Sequence, residues 1–122
     1  MKALLVIAHG SRRAESNDEV RRLTDTLAQR AQAEFSIVRC GFLELAEPSI
    51  PDGIELCVQA GATEVVVLPY FLSAGRHVVT DIPNDVRGKQ EEHPQVNIRI
   101  APYLGAHDRV TELLLESASI PA

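Results

Sequence analysis

The amino-acid sequence predicts an α/β fold: a four-stranded parallel sheet in the doubly wound, flavodoxin-like order 2-1-3-4, with helices on both faces. Two apolar runs, Ala3-Leu-Leu-Val-Ile-Ala8 and Val65-Val-Val-Leu68, lack the alternation of a half-exposed strand and have the character of central strands covered on both sides. Strand-like and helix-like stretches alternate along the chain as β-α-β-α-β-α-β-α, and right-handed crossovers join such units into one parallel sheet. The first and third strands each run into a loop carrying glycine, arginine and histidine, as expected of neighbouring central strands whose carboxyl ends open on one crevice.

The first strand is residues 3–8. The first helix opens on Ser16-Asn-Asp-Glu19, which has capping-box spacing, and places Val20, Leu23, Leu27, Ala31 and Phe35 on one face. A second strand covers 36–42. The second helix runs over about 51–60, with Pro51 in its first turn, Gly61 as its stop and Ile54, Cys57 and Val58 on the buried side. The third strand begins at Glu64 and ends near Leu68. From His77 to His93 the period is again helical, with Val78, Ile82 and Val86 four apart, but Pro83 predicts a broken helix. A fourth strand at 96–101 and a last helix at about 106–117, carrying Val110, Leu113 and Leu114, complete the order.

With 122 residues, the expectation is one domain over 1–122. Apolar residues make up 45% and charged residues 24%, a globular balance. The short apolar run after Lys2 is too brief for a signal peptide, and no stretch approaches a membrane span, so a cytoplasmic protein is expected. Cys40 and Cys57, without metal-type spacing, read as buried thiols in a reducing compartment. A net charge of −5 argues against nucleic acid as the main partner. Arg12, Arg13 and Arg76 nonetheless flank the two histidine loops, so the local field there can suit an acidic small molecule.

His9 follows the first strand, Glu44 follows the second, and His77 lies in the loop after the third. Three strand tips thus offer His, Glu and His to one crevice. Imidazole nitrogen with carboxylate oxygen suits a borderline divalent ion such as cobalt, iron, nickel or zinc, and does not choose among them. A neutral imidazole is equally a base, so metal ligation and proton abstraction compete for the same residues. Glu47, beside Pro48, reads as a turn residue, and His93 and His107 read as structural or solvent-exposed. The glycine pairs Gly10-Ser11 and Ala74-Gly75 offer backbone N–H groups to an anion but match no nucleotide-binding pattern.

Ala8-His9-Gly10-Ser11-Arg12, Phe42-Leu43-Glu44 with Pro48, Pro69-Tyr70-Phe71-Leu72-Ser73-Ala74-Gly75-Arg76-His77 with Asp81-Ile82-Pro83, and Pro102-Tyr103-Leu104-Gly105 resemble the sirohydrochlorin chelatase family. The resemblance spans nearly the whole chain, and its second histidine motif is the more specific. It implies a chelatase-like domain that inserts cobalt or iron into sirohydrochlorin or a related tetrapyrrole, with no cofactor beyond the metal substrate. His9, His77 and Glu44 take the metal-handling and catalytic roles by position. Ser11, Arg12, Arg13, Ser73, Gly75 and Arg76 take the substrate-binding role around a macrocycle bearing eight carboxylates. The resemblance is to the short form that works as a homodimer, its cleft between two copies, with Val78, Val79, Ile82, Tyr70, Phe71 and Leu72 as contact candidates. The competing classes are a non-catalytic tetrapyrrole or metal carrier and a flavodoxin-like interaction domain.

Overall fold

The computed structural model describes residues 1–31 and 33–121, with the side chains of His77 and Val78 outside the description. Four parallel strands form one sheet in the order β2-β1-β3-β4: β1 (Lys2–Ala8), β2 (Ile37–Phe42), β3 (Glu64–Pro69) and β4 (Asn97–Ile100). The expected strand order is thus the observed one. In β1, odd-numbered Ala3, Leu5 and Ile7 point to one face and Leu4 and Val6 to the other. Both sets are buried, which explains why the run does not alternate in polarity.

Helices α2 (Ile50–Gln59) and α3 (Ile82–Glu92) cover the first face, where Ile54, Cys57, Ile82 and Val86 meet Leu5, Ile7, Val65, Val67 and Ile98. Ser49 caps α2 by accepting from the Asp52 N–H at 3.2 Å, and Pro51 sits in the first turn, where its missing donor costs nothing. Helix α1 (Ala14–Arg30) lies on the second face, where Leu27 and Phe35 pack with Leu4, Val6 and Val66. The two cysteines belong to opposite faces: Cys40 joins the α1-side cluster and Cys57 the other, so the sheet separates them. Burial raises the Cys57 thiol to about 11, Arg39 opposing only weakly, which keeps it protonated and inert.

Three expectations need correction. Helix α1 begins at Ala14 rather than at Ser16, and the Ser16–Glu19 capping box is not used. Asn17, inside that box, instead turns its buried amide to Ser11, and the helix starts a turn earlier with Arg13 at the N-cap. The break expected at Pro83 lies before it: residues His77–Asp81 form one wide π-type turn, and Pro83 occupies the first turn of α3, where proline is tolerated. The last helix is α4 (Val110–Ala118), preceded by a separate 3-10 turn at Leu104–Ala106. Its apolar residues join neither core cluster.

Candidate functional site at the carboxyl edge

Parallel pairing sets the strand tips level. Ala8 pairs with Phe42 and Ile7 with Pro69, so the residues that follow emerge along one edge. Beyond the last paired residues the β1 and β2 tips stay joined: the Leu43 N–H donates to the Ala8 carbonyl at 2.9 Å and the Glu44 N–H to the His9 carbonyl at 3.1 Å. His9 and Glu44 are therefore fixed relative to each other by backbone. On the other side, the Tyr70 N–H donates to the Ile7 carbonyl at 2.8 Å, carrying β3 into its own tip. The buried ring of Phe71 there meets the His9 imidazole edge-on, with centroids 4.6 Å apart and planes at 83°.

The His9 loop is held from below. Gly10 has φ +88°, and a Cβ there would lie 1.7 Å from the Glu44 carbonyl oxygen, so only glycine permits the two tips to approach this closely. The Asn17 side chain accepts from the Ser11 N–H at 2.9 Å and donates to the Ser11 carbonyl at 2.8 Å. The Ser11 hydroxyl in turn accepts from the Arg13 N–H at 3.0 Å. Arg12, Arg13, Ser73, Gly75 and Arg76 are all exposed at this edge, Arg13 in a surface pair with Glu15 at 3.2 Å.

His9, Leu43, Glu44 and Asp81 line a cavity of about 150 Å³ at this edge. That volume is of the size of an ion with a few waters, each about 30 Å³, and is far too small for a macrocycle. Asp81, the last residue of the π-type turn, is the member of this group that sequence reasoning did not assign. Its four-residue spacing from His77 does not announce it, because a wide π-type turn rather than an α-helical one carries it to the cavity. The backbone of His77 opens that turn; its side chain, expected to complete the set, lies outside the description. Burial, with the charge of Asp81 second, raises the carboxyl pKa of Asp85 one turn further on. Larger depressions exist elsewhere, one of about 520 Å³ beside Glu47 and Asp52 and one of about 420 Å³ around Gln90–Asn97, but neither carries a strand-tip histidine.

A second group of ligand-type side chains, Glu55, Glu92 and His93, brings its donor atoms within 4.8 Å of one another between α2 and α3. The Lys89 ammonium stands among them, 2.7 Å from Glu55 and 2.5 Å from Glu92, so the protein's own cation fills the centre. His93 Nε2 lies 2.8 Å from Glu55, and the His107 Nδ1 accepts from the Arg109 N–H at 3.0 Å. Both histidines have the structural roles expected.

The class so defined is an α/β protein with a 2-1-3-4 parallel sheet that gathers imidazole and carboxylate side chains around one cavity at its strand tips. The CbiX family model matches residues 3–120, and the chain belongs to that family. It is 38% identical over 111 residues to a chloroplastic sirohydrochlorin ferrochelatase of Arabidopsis thaliana, covering 91% of this chain and 48% of the relative. It is 32% identical over 118 residues to a sirohydrochlorin cobaltochelatase of Sulfolobus acidocaldarius, covering 97% and 90%. Among solved structures, the sirohydrochlorin chelatase SirB of Bacillus subtilis subspecies spizizenii in complex with cobalt superposes with a TM-score of 0.82 at 28% identity, over 96% of this chain and 49% of SirB. The chain thus spans about half the length, or less, of several curated relatives it matches and nearly all of the Sulfolobus protein. Among the described residues no helix is long and apolar enough to cross a membrane.

Proposed function

We propose that residues 1–122 form one chelatase-like domain that inserts a divalent metal, cobalt or iron, into sirohydrochlorin or a close relative, working in the cytoplasm as a two-fold homodimer. The observation that carries this reading is the cavity shared by His9, Glu44 and Asp81 at the edge to which the His77 loop also leads. Metal entry requires an aquo ion to shed water and the macrocycle to lose two pyrrole protons. In this reading His9 and His77 replace water ligands, each imidazole takes up one pyrrole proton once the metal has left its nitrogen for the macrocycle, and Glu44 balances charge beside them. Asp81 adds a second carboxylate on the same cavity. The macrocycle lies across the open edge, its carboxylates gripped by Arg12, Arg13 and Arg76 and by the backbone around Ser11, Ser73 and Gly75.

Multiple-turnover metal insertion, followed through the absorption change of sirohydrochlorin with Co²⁺ or Fe²⁺, tests the reading directly. Replacing His9 by Ala is expected to slow turnover about 100-fold or more while leaving the melting temperature within a few degrees of the parent, because the ring is exposed. Parental turnover in that variant overturns the assigned role. Binding without turnover by the parent would instead make it a carrier.

A further inference from the structure

Among the described residues, Leu45 alone has a positive φ without being glycine, at +63°, and its side chain is 54% exposed. A leucine is disfavoured there twice. The left-handed backbone crowds its Cβ against the following carbonyl, and so exposed a side chain recovers little from burial. Glycine and asparagine adopt that backbone far more readily. The turn alone therefore does not account for a leucine.

The loop around it shows why the strained backbone persists. Residues 43–48 are closed at their base, where the Phe42 N–H donates to the Pro48 carbonyl at 2.8 Å. Ahead of Leu45, the Glu44 N–H is bound to the His9 carbonyl at 3.1 Å, and the Glu44 carbonyl lies against Gly10. Behind it, the Arg21 guanidinium sits 5.2 Å over the Phe42 ring and donates to the Glu47 carbonyl at 3.2 Å. The chain is thus held on both sides of Leu45, one residue from the Glu44 that lines the carboxyl-edge cavity.

That place matters because of what the cavity does not hold. At about 150 Å³ it has room for an ion, so the tetrapyrrole of the proposed reaction has to lie across its mouth. Such a macrocycle carries its carboxylates on the rim and is apolar on its two flat faces. The arginines at this edge suit the rim alone. A face needs an apolar partner, and Leu45 is an exposed apolar side chain next in sequence to a group of the cavity. Of the contact candidates named from the sequence, Phe71 and Ile82 are core, and the exposed Tyr70 and Leu72 border a separate cavity with Leu104.

We propose that Leu45 is a macrocycle-contact residue: held out by its strained loop, its side chain packs on the face of the tetrapyrrole at the cavity mouth and sets how closely the ring approaches His9 and Glu44. The inference rests on the chelatase reading and adds to it a residue that selects a flat, apolar-faced ligand.

Sirohydrochlorin binding to the full chain without metal, followed by quenching of its fluorescence, is compared in the parent, Leu45→Gly and Leu45→Asn, beside Co²⁺ binding without tetrapyrrole. Both replacements suit the left-handed backbone, so melting temperatures are expected to stay within a few degrees of the parent's. Both are expected to raise the Kd for sirohydrochlorin about 10-fold, the loss of one apolar contact, and to leave the Kd for Co²⁺ unchanged, since leucine offers no ligand atom. Parental sirohydrochlorin affinity in both variants overturns the contact. Weakening in Leu45→Gly alone assigns the effect to loop stiffness and overturns it as well. A fall in melting temperature of roughly 10 °C or more in both variants makes Leu45 a packing residue, again against the proposal. Turnover by the parent is measured separately: a parent that binds sirohydrochlorin without inserting metal overturns the chelatase reading, while the comparison of affinities still decides the role of Leu45. A parent that binds no sirohydrochlorin overturns both.

Discussion

Asn17 is one of two polar residues in α1 that are almost fully buried, and its amide is spent on a single neighbour, Ser11. Both hydrogen bonds reach the backbone of the loop that carries His9, whose other side is fixed by the close passage of Gly10 over Glu44. The imidazole's loop is thus located from two sides, by the Asn17 amide and by the Glu44 backbone carbonyl. Asn17→Ala leaves the Ser11 N–H and carbonyl without protein partners in a partly buried place, at about 1–3 kcal/mol of stability. Urea denaturation is expected to show that loss. Metal insertion is expected to fall further than stability alone explains, because a catalytic imbalance of about 1 Å is costly. If turnover per folded molecule is unchanged in Asn17→Ala, the loop holds its geometry without the latch.

Between elements, the contact of α2 with α3 is polar at its rim. Glu55 on α2 receives Lys89 and His93 from α3 and its C-cap, with Gln59 donating from the next turn of α2 at 2.7 Å. These hydrogen bonds, Lys89 first, then Gln59 and His93, hold the Glu55 carboxyl at about 2 instead of 4.5. A carboxyl whose folded pKa is depressed stabilises the fold fully above its unfolded value and loses that contribution as pH falls through the folded one. The window is therefore from about 4.5 down to about 2. Thermal melts of Glu55→Gln are expected to lie below the parent at pH 7 and to converge on it only as the pH falls to about 2; a gap independent of pH would show that the carboxylate charge does not hold the helices together. The same scale shows what was legible in the sequence. The two central strands could be read because β1 and β3 are apolar on both faces, and the edge strands β2 and β4, which carry exposed Arg39 and Arg99, from their place in the β-α alternation. The start of α1 could not, because its local capping box competes with a tertiary demand on Asn17. The exposure of α4 could not either, since a helical apolar stripe has the same period whether it meets its own core or another copy. At the site, His9 and Glu44 were legible as strand-tip residues, whereas Asp81 is brought in by a π-type turn that spacing alone does not announce.

For the whole molecule, charge is the property that must be reconciled with the proposed substrate. Twelve basic residues face seventeen acidic ones, and a polycarboxylate macrocycle approaching at random meets net repulsion. Arg12, Arg13 and Arg76 lie exposed at the carboxyl edge, where the cavity opens, so the field that matters for capture is local. Guanidinium groups suit this task because each grips a carboxylate through two parallel hydrogen bonds and stays charged at every working pH. Exposed pairs of this kind are also sensitive to salt, since screening lengths shrink from about 10 Å at 0.1 M to about 3 Å at 1 M. The expected outcome is that Arg76→Ala raises the KM for sirohydrochlorin about 10-fold with a smaller change in kcat, as loss of a contact worth about 1.4 kcal/mol requires. Added salt should raise the parent KM in the same direction and raise that of Arg12→Ala/Arg76→Ala much less, because the groups being screened are gone. Steady-state kinetics at several ionic strengths separates this from a general effect on the protein. A KM in the double variant that matches the parent and follows salt equally would place the grip on the macrocycle elsewhere, leaving the arginines as ordinary surface residues.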